Sequence, residues 1–388
     1  MELHSEVAGL GGECIRIRRH LHMIPETKFE EYDTQAFVMA ELEKCLPDKL
    51  EKIAGTGVKA VFYTPDAEET LAFRADMDAL DTLELNNTDY ISKREGKMHA
   101  CGHDGHMTAI LLLAKLIAES RGSIKYNVVL IFQPAEEGGG GAQLMVDAGV
   151  LKNPDVDRIY GLHVWPTIPK GKIGVRWGVM MAQTAEFDIV VHGRSAHGAS
   201  PQMGIDAVVI AAELISMLQT AITRSLDPHE NALLTIGKIS GGVARNIIAD
   251  RVELNATLRV LAQETYDKLS SRISEIVKGF GMATGASFDI DEHVAFPCVD
   301  NPRWLVENFY KYTGMEDVLL IEPVLAAEDF SVYQREIPGL YFFLGIEGGK
   351  NHAPLHNGSF DFDEELLLTG VEIFWRLLIN APEQETKA

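Results

Sequence analysis

The sequence predicts an α/β protein of two domains, and three observations support that prediction. The chain has 388 residues, which exceeds the usual size of a single domain. Over residues 1–178, continuous apolar runs alternate with helical patterns, as in a sheet that helices cover on both faces. After about Trp177 the apolar residues alternate with polar ones, which indicates a sheet with one exposed face.

The first of these segments predicts a sheet with its functional groups along one edge. Helices are predicted at 5–24, 33–46 and 105–119, and strands at 58–63, 70–75, 127–132 and 158–164. Polar residues collect just after the carboxyl ends of the strands, which is where open α/β sheets bind their ligands. We therefore expect a functional site at that edge.

The second segment predicts a small domain inserted into the first. Its elements follow the order β-α-β-β-α-β, which is typical of a ferredoxin-like α+β domain. They are predicted at 186–192, 204–220, 233–239, 248–260, 263–280 and 287–294. From about Phe296 the chain returns to helix, with a strand at 340–344 and a closing helix. We therefore assign 1–178 and 295–388 to one domain and 179–294 to the inserted domain.

Charge and cysteine usage exclude several classes of function. The formal net charge is 35 minus 57, or −22, so nucleic acid and anionic membranes are not expected partners. The four cysteines are widely scattered, which does not indicate a disulfide framework. The N-terminus lacks the basic and apolar regions of a signal peptide, and no apolar run approaches membrane-spanning length. We expect a cytoplasmic protein.

Residues 99–106 concentrate metal-ligating groups: three imidazoles, one thiol and one carboxylate, with two glycines. On a helix, Cys101 and His103 would point in different directions because they stand two residues apart. In a loop both can face one point, and the glycines permit the necessary turns. A buried free cysteine beside surface histidines would explain each residue singly. The set together predicts a metal site where a loop enters a helix near Gly105.

Two adjacent carboxylates, Glu136 and Glu137, follow a predicted strand and precede four glycines. Alone they would indicate a solvated acidic turn. Beside a metal cluster, one carboxylate can bind the metal while its neighbour acts as a general base. His163, at the end of an apolar strand, is equally a core residue or a ligand, and His356 would ordinarily lie in a surface loop.

Three residues of the inserted domain are further candidates. His197 lies in a loop of serine, glycine and proline that a mobile domain could bring to a reaction centre. Asn246 ends a second, glycine-rich loop. Arg259 is either half of a surface ion pair or a clamp for a substrate carboxylate. The sequence has no Gly-x-Ser-x-Gly elbow and no phosphate-binding loop, so serine-hydrolase and nucleotide chemistry are not predicted.

Ordered motifs extend over nearly the whole chain. They are Arg18-Arg19-His20-Leu21-His22 with Pro25-Glu26, Arg74-Ala75-Asp76-Met77-Asp78, Met98 to His106, Gln133-Pro134-Ala135-Glu136-Glu137 with the glycines after it, Gly161 to Pro166, Ser195-Ala196-His197, Ala327 to Phe330, and Leu355-His356 followed by Phe360-Asp361-Phe362. With these motifs the sequence resembles the amidohydrolase branch of the M20 metallopeptidase family. That branch includes hippurate hydrolases, aminoacylase-like enzymes, N-acetyldiaminopimelate deacetylases and plant auxin-conjugate hydrolases.

The resemblance implies a zinc-peptidase-like catalytic domain with a mixed sheet, and an inserted lid domain through which a homodimer forms. It implies two divalent metal ions, manganese or zinc with cobalt or nickel as alternatives. Their ligands would be Cys101, His103, Glu137, His163 and His356. Glu136 would be the general base, and the substrate would contact His197, Asn246 and, through its carboxylate, Arg259. The implied reaction is hydrolysis of an N-acetyl or N-benzoyl amino acid to a carboxylic acid and a free amino acid.

Two alternatives stay open beside this reading. A dipeptidase of the same family needs a group that receives a free α-amine, and the sequence locates none. A non-catalytic metal-dependent binding protein needs the metal ligands but not Glu136. Three departures from the family pattern also matter. Arg74 stands where the wider family has a histidine, which implies a structural role for Asp76. Asp81 and Asn357-Gly358 also differ from most relatives, and bear on which acyl group is preferred.

Overall fold

The computed structural model describes residues 2–314, 316–348 and 353–380. Its contacts divide the chain into two units. The first unit comprises Met1–Met180, Asp300–Glu322 and Asp329–Ala388, and the second comprises Met181–Val299 and Pro323–Glu328.

Helices and strands alternate along most of the chain. The helices are α1 (Ser5–Ala8), α2 (Gly11–Met23), α3 (Tyr32–Glu43), α4 (His103–Ser120), α5 (Gly141–Asp147), α6 (Ala207–Ser225), α7 (Gln263–Thr284), α8 (Arg303–Thr313), α9 (Phe330–Glu336) and α10 (Leu367–Asn380). The strands are β1 (Lys49–Ile53), β2 (Gly57–Phe62), β3 (Thr70–Asp76), β4 (Asn127–Gln133), β5 (Arg158–Pro169), β6 (Ile173–Val175), β7 (Gly178–Met181), β8 (Gln183–His192), β9 (Ala196–His197), β10 (Ala232–Gly241), β11 (Ile247–Ile248), β12 (Arg251–Val260), β13 (Ser287–Phe296), β14 (Val299–Asn301), β15 (Val318–Leu320) and β16 (Gly339–Glu347).

The first unit is built on an eight-stranded mixed sheet in the order β1-β2-β4-β3-β5-β16-β6-β15. Its central strands β4, β3, β5 and β16 run parallel to one another. Strand β2 is antiparallel to both of its neighbours, β1 and β4. Every residue of β3 is buried, as are all but one of β4 and of β16. This burial on both faces explains the continuous apolar runs, and the predicted α/β fold class is confirmed.

Polar groups of β3, β4 and β5 line one edge of this sheet. Asp76 ends β3, Gln133 ends β4, and His163 is the sixth of the twelve residues of β5, two places beyond Gly161, which pairs with Arg74 of β3. Helix α4 packs against β3 and begins at His103, so its first turn reaches the same edge. Parallel strands present their carboxyl ends at one edge, and this edge therefore holds the candidate site.

The second unit contains a four-stranded antiparallel sheet in the order β10-β12-β8-β13. Along the chain its elements follow the order β-α-β-β-α-β, with α6 after β8 and α7 after β12. Burial along β12 alternates residue by residue, because α6 and α7 cover only one face of the sheet. A short pairing of β9 with β11 joins two loops at the edge of this unit.

The sequence predicted domain boundaries at 178/179 and 294/295, and the boundaries of the two units differ from these. The second unit extends to Val299, because β13 itself continues to Phe296. It also includes 323–328, which the sequence analysis assigned to the first domain. There the backbone N–H of Ala182 donates to the carbonyl of Ala326 over 2.9 Å. Such a pairing of distant segments leaves no local sequence signal.

Two helices also differ from their predicted extents. The predicted helix at 5–24 is divided into α1 and α2, with a break at Gly9 and Leu10. Helix α4 begins at His103 and not near Gly105. Gly102 adopts a left-handed conformation with φ of 87° and stands directly before α4. The turn that the sequence placed inside the cluster therefore occurs at Gly102, between Cys101 and His103.

Helix α6 is long and apolar enough to cross a membrane, by length and composition alone. The sequence analysis expected no such run. Six residues of α6 at helical spacing are buried within the second unit: Ala207, Ile210, Ala211, Leu214, Leu218 and Ala221. A helix in the protein core needs an apolar stripe of this kind in order to pack on a sheet, and this packing explains why α6 is so apolar.

Candidate metal centre

The loop before α4 turns two potential ligands toward one point. Cys101 lies in the loop, and His103 is the first residue of the helix. Gly102 between them needs its left-handed φ, and a Cβ there would lie 2.4 Å from a methyl carbon of Val164. No larger side chain fits this position without displacing its neighbours. Both side chains are buried, at 7% and 0% exposure.

His163 presents one ring nitrogen to this pair. Its Nδ1 lies 2.6 Å from the carbonyl oxygen of Val164, which assigns the proton to Nδ1. Its Nε2 lies 3.4 Å from the Sγ atom of Cys101. The ring also stands edge-on to Trp165, with 5.7 Å between ring centroids. These contacts hold a neutral imidazole with its Nε2 lone pair toward the thiol.

Glu136 and Glu137 follow β4 on a loop whose backbone amides are bound by buried carboxylates. Glu31 accepts a hydrogen bond from the N–H of Ala135 at 3.0 Å. Asp78 accepts from the N–H groups of both glutamates, at 3.0 and 2.9 Å. Asp329 accepts from the N–H of Ala142 at 3.0 Å, just beyond the glycines. The loop is therefore fixed by its main chain, which leaves the two glutamate side chains to face the cluster.

His356 reaches the cluster from a loop far along the chain. Its backbone N–H donates to the carbonyl of Ala100 over 2.8 Å, which ties this loop to the one that carries the thiol. The imidazole Nε2 lies 3.2 Å from a carboxylate oxygen of Glu137. The side chain is 54% exposed, so this ligand forms the open side of the cluster.

The structure thus brings all five predicted ligands together. Among the described residues, three overlapping sets that each contain at least two of these ligands have potential ligand atoms within 4.8 Å of one another. They are Cys101 with His103 and His163, Cys101 with Glu137 and His356, and His103 with Glu136 and Glu137. Cys101, His103 and Glu137 each belong to two sets, so the ligand atoms form one continuous cluster and not three separate sites. Glu136, the predicted base, lies among the ligand atoms of the third set.

The electrostatics of the thiol and of His163 suit a cation. Burial raises the pKa of Cys101 well above its ordinary value, and the nearby Glu137 and Glu136 raise it further. A bound cation reverses this effect, because a coordinating thiol is deprotonated. Burial lowers the pKa of His163 well below its ordinary value, so the ring is neutral and able to ligate.

His103 provides the observation that tests whether a metal fits. Burial favours its neutral form, but Asp76, Asp78 and Glu137 raise its pKa to about 10. Its Nε2 is buried without a hydrogen-bond partner among the described residues, and the nearest Glu137 oxygen is 4.0 Å away. A divalent cation at this nitrogen would replace the proton and supply the missing partner. The donor set of thiol, imidazoles and carboxylate also suits a divalent transition metal.

His106 lies in the same cluster but has no free ring nitrogen for a metal. Its Nδ1 lies 2.6 Å from Asp76, and its Nε2 accepts the N–H of Val164 at 3.0 Å. Asp76 also accepts from Arg74 over 2.8 Å. Asp76 therefore supports the site from behind, and the histidine links it to β5.

The motif in α2 acts on the first turn of α4. Arg18 and His22 reach the buried carboxylate of Asp104, at 3.0 and 2.7 Å. Although burial raises the pKa of Asp104, these two partners hold it well below its usual range. Asp104 follows His103 directly, so this network fixes the helical turn on which that ligand stands.

The remaining candidates lie in the second unit. His197 in β9 pairs with Ile247, and the N–H of Gly198 donates to the carbonyl of Asn246 over 2.8 Å. The Nδ1 atom of His197 accepts from the N–H of Ala199 at 3.0 Å, which leaves the proton of the neutral ring on Nε2. Arg259 stands on β12, and its Nη1 is buried with no hydrogen-bond partner in the described part of the chain.

Asp78, Glu31 and Asp329, whose carboxylates hold the glutamate loop, were not predicted from the sequence as site residues. Asp78 had a usable signal, since it follows the carboxyl end of a buried strand. Glu31 and Asp329 lie far away in sequence, and only the folded chain brings them to this loop.

These features define a class of protein. It is an α/β protein with a buried cluster of metal-ligating groups at the carboxyl edge of a mixed sheet. A carboxylate suited to proton transfer stands next to that cluster. Hydrolytic enzymes that use divalent metals combine these elements.

The comparisons identify the family. Residues 72–380 match the model for peptidase family M20/M25/M40, and the chain belongs to this family. It is 37% identical over 363 residues to N-acetyldiaminopimelate deacetylase of Priestia megaterium, covering 92% of this chain and 96% of that protein. It is also 37% identical over 370 residues to IAA-amino acid hydrolase ILR1-like 4 of Arabidopsis thaliana, and this match covers 92% of this chain and 83% of that protein.

A solved structure agrees with this assignment. The crystal structure of a dinuclear metal-binding peptidase of the M20 family from Bacillus subtilis superposes with a TM-score of 0.83. It is 30% identical, and the match covers 96% of this chain and 98% of that one. The protein is therefore an amidohydrolase of the M20 family, as its resemblance to that branch implied.

We predict that replacing Arg74 with Met destabilises the protein strongly. Arg74 is fully buried and donates to Asp76 at 2.8 Å and to Asp329 at 2.7 Å. Its loss leaves both buried carboxylates without their cation, which should lower the free energy of unfolding by about 3–5 kcal/mol. Denaturant titration of the two proteins measures this difference.

The matched control is Arg303→Met. Arg303 forms an exposed ion pair with Glu307, whose side chains are 75% and 60% exposed. Such pairs contribute about 0–1 kcal/mol. Equal losses in the two variants would show that the buried network does not depend on Arg74.

Proposed function

We propose that the protein is a metal-dependent amidohydrolase of N-acyl amino acids. It would convert an N-acetyl or N-benzoyl amino acid to a carboxylic acid and a free amino acid. The observation that carries this proposal is the carboxylate of Glu136, whose oxygen lies within 4.8 Å of ligand atoms of His103 and Glu137. The relatives named N-acetyldiaminopimelate deacetylase and IAA-amino acid hydrolase support the substrate class.

In this proposal Cys101, His103, Glu137, His163 and His356 hold two divalent cations. When bound, the cations would polarise the amide carbonyl and lower the pKa of an attacking water. Glu136 accepts the proton of that water as its oxygen bonds to the acyl carbon. It then delivers the proton to the nitrogen as the carbon–nitrogen bond breaks. One water is thereby added across the amide, and the carboxylate of Glu136 returns to its starting state.

The second unit supplies the substrate contacts in this proposal. His197 carries its proton on Nε2 when neutral, so it can donate a hydrogen bond to the developing oxyanion. Asn246 lies beside it and adds a second polar contact. Arg259 binds the carboxylate of the amino acid, which gives its buried Nη1 the acceptor that the described residues do not provide.

The metal is manganese or zinc in this proposal, with cobalt or nickel as alternatives. A thiolate among the ligands suits zinc, and the carboxylate ligand suits manganese as well. Because Cys101 must stay reduced to ligate, we also propose that the protein acts in the cytoplasm.

We predict that Glu136→Gln removes activity but not metal. The variant keeps the size of the side chain and loses the basic oxygen, so kcat should fall by roughly 10²–10⁴-fold. The assay is amine release from N-acetyl, N-benzoyl and dipeptide substrates, with metal-stripped protein reloaded with manganese, zinc, cobalt or nickel. Metal per chain is measured in parallel.

Glu137→Gln is the matched control, because it alters the neighbouring carboxylate. It should lower metal affinity along with activity. Activity of Glu136→Gln within a few-fold of the parent would rule out the base assignment. Cleavage of dipeptides alone would favour a peptidase, and bound metal with no cleavage of any substrate would favour a binding protein.

We predict that Arg259→Ala raises KM selectively. Losing a charge-assisted hydrogen bond should raise KM roughly 10- to 100-fold for substrates with a free carboxylate. Substrates whose carboxyl group is blocked as an amide should be unaffected. Arg251→Ala provides the control, since Arg251 stands on the same strand but pairs with the exposed Glu253. An equal loss on blocked and free substrates would contradict the clamp.

We further propose that the protein is a homodimer through the second unit. Strand β10 is an edge of the four-stranded sheet and exposes Leu233 and Ile239, at 47% and 53%. Helix α6 packs beside it and exposes Val209 and Met217, at 56% and 42%. A second copy could pair its own β10 antiparallel to this edge and cover both apolar surfaces.

The dimer proposal predicts a monomer when Val209 and Met217 are both replaced by lysine, because two charges would then be buried in the interface. Met282→Lys is the control, since Met282 is 85% exposed on α7, away from this face. Light scattering during size exclusion gives the mass of each protein. A monomeric parent, or a double variant that remains dimeric, would contradict the proposal.

A further inference from the structure

Two leucines are exposed together on the segment that follows β3. Leu83 and Leu85 are 62% and 65% exposed, although leucine is among the residues most often buried in folded proteins. Exposure alternates from residue to residue over 81–89, as in an extended chain whose successive side chains point to opposite sides. Both leucines therefore lie on one side of the segment, and Glu84 between them points to the other. They form a small apolar patch and are not scattered surface residues.

This segment is fixed from its inner side. The carboxylate of Glu84 is 3% exposed, lies 3.1 Å from Nε2 of His22 and accepts the backbone N–H of Ser92 at 2.7 Å. The side-chain amide of Asn86 donates to the carbonyl of Phe360 over 3.0 Å. For the leucines to turn into the core, the buried carboxylate would have to leave these partners, which is costly. Their exposure is therefore built into the segment.

Both ends of the segment are tied to loops that carry proposed metal ligands. Leu80 and Met98 exchange two backbone hydrogen bonds of 3.0 Å, three residues before the thiol ligand. The N–H of Leu85 donates to the carbonyl of Gly358 over 2.7 Å, two residues after His356. At about 3.5 Å of chain per residue, these ties lie within roughly 7–11 Å of the ligand backbones. The imidazole of His356 forms the open side of the cluster, so the leucines border that side.

Gly358 permits this close approach. A Cβ atom at this position would lie 2.3 Å from the carbonyl oxygen of Leu83 and 3.2 Å from the Cγ atom of Leu85. Any larger residue would therefore push the segment away from the loop that carries His356. Asn357-Gly358 is one of the places where the sequence departs from most relatives. This departure and the two leucines thus belong to one structural feature.

We propose that Leu83 and Leu85 bind the acyl group of the substrate and select acyl groups with a large apolar part, such as benzoyl, over acetyl. The inference rests on the proposed function, which assigns the amino-acid part of the substrate to Arg259 and leaves the acyl part to other residues. The acyl group is bonded to the carbonyl carbon that reacts at the metal cluster. A phenyl ring reaches farther from that carbon than a methyl group and offers the leucines more apolar surface to cover.

The test compares the double variant Leu83→Ala/Leu85→Ala with Leu319→Ala/Leu320→Ala. Both pairs are exposed leucines of the first unit, and the control pair lies on β15 at an edge of the eight-stranded sheet. The assay measures kcat/KM for N-benzoylglycine and N-acetylglycine with each protein at saturating metal. Metal per chain and the thermal midpoint are measured in parallel, because a loss of either would mark a defect other than acyl selection.

We expect the parent to prefer N-benzoylglycine. The ratio of the two kcat/KM values should fall roughly 10-fold in Leu83→Ala/Leu85→Ala, the order of effect of small changes in an apolar substrate site. The control pair should keep the parent's ratio. Replacing both leucines by methionine preserves an apolar surface of similar size, so the ratio should remain within about threefold. A parent that prefers N-acetylglycine, an unchanged ratio in the alanine variant, or an equal fall in the control would overturn the proposal.

Binding without turnover separates this inference from the proposed function. Calorimetry gives the affinities of the same two compounds for metal-loaded Glu136→Gln, with and without the two alanine substitutions at Leu83 and Leu85. If the parent cleaves neither compound, but the alanines remove a preference for binding N-benzoylglycine, the proposed function alone is refuted. Cleavage of both compounds with one ratio in all variants would refute acyl selection by the leucines and leave the proposed function standing. Neither binding nor cleavage would refute both.

Discussion

The candidate site depends on holding several carboxylates close together in the protein interior. An isolated buried carboxylate is costly, and neighbours of like charge increase that cost. Here the cost is offset in two ways. Arg74 binds Asp76 and Asp329, and backbone amides of the loop after β4 bind Asp78 and Asp329. Without these partners the buried carboxylates that hold the loop of Glu136 and Glu137 would carry an uncompensated desolvation cost, and the loop would lose its supports.

The fold supplies these partners because three neighbouring parallel strands bring polar groups to one edge of the sheet. Arg74 stands on β3, the amides belong to the loop after β4, and His163 lies on β5. Strand ends present main-chain groups that the sheet no longer pairs, and such groups are suited to bind anionic side chains. The carboxylates in turn hold the loop of Glu136 and Glu137. Metal-ligating groups and the residues that support them thus belong to one hydrogen-bonded network. A change in one part of this network alters the positions of the others.

Much of this arrangement could be read from the sequence, because residue chemistry and order are local properties. The cluster at 99–106, the paired glutamates and the continuous apolar strands each leave a signal within about ten residues. Other features leave none. The partnership of Asp329 with Ala142 and the return of 323–328 to the second unit join segments far apart in the chain. The start of α4 was misplaced by two residues, because the left-handed turn at Gly102 is set by packing against Val164.

By itself, then, the sequence determined the fold class, the family and the set of groups that can bind metal. Those properties follow from periodicity, motif order and side-chain chemistry, all of which survive without coordinates. Only the tertiary structure decided which nitrogen of each histidine is available. His106 is occupied at both ring nitrogens, whereas the Nε2 of His103 is without a hydrogen-bond partner among the described residues. The physical reason is that hydrogen-bond partners are chosen by distance in space, and a distance of 3 Å can join residues that the chain separates by hundreds of positions.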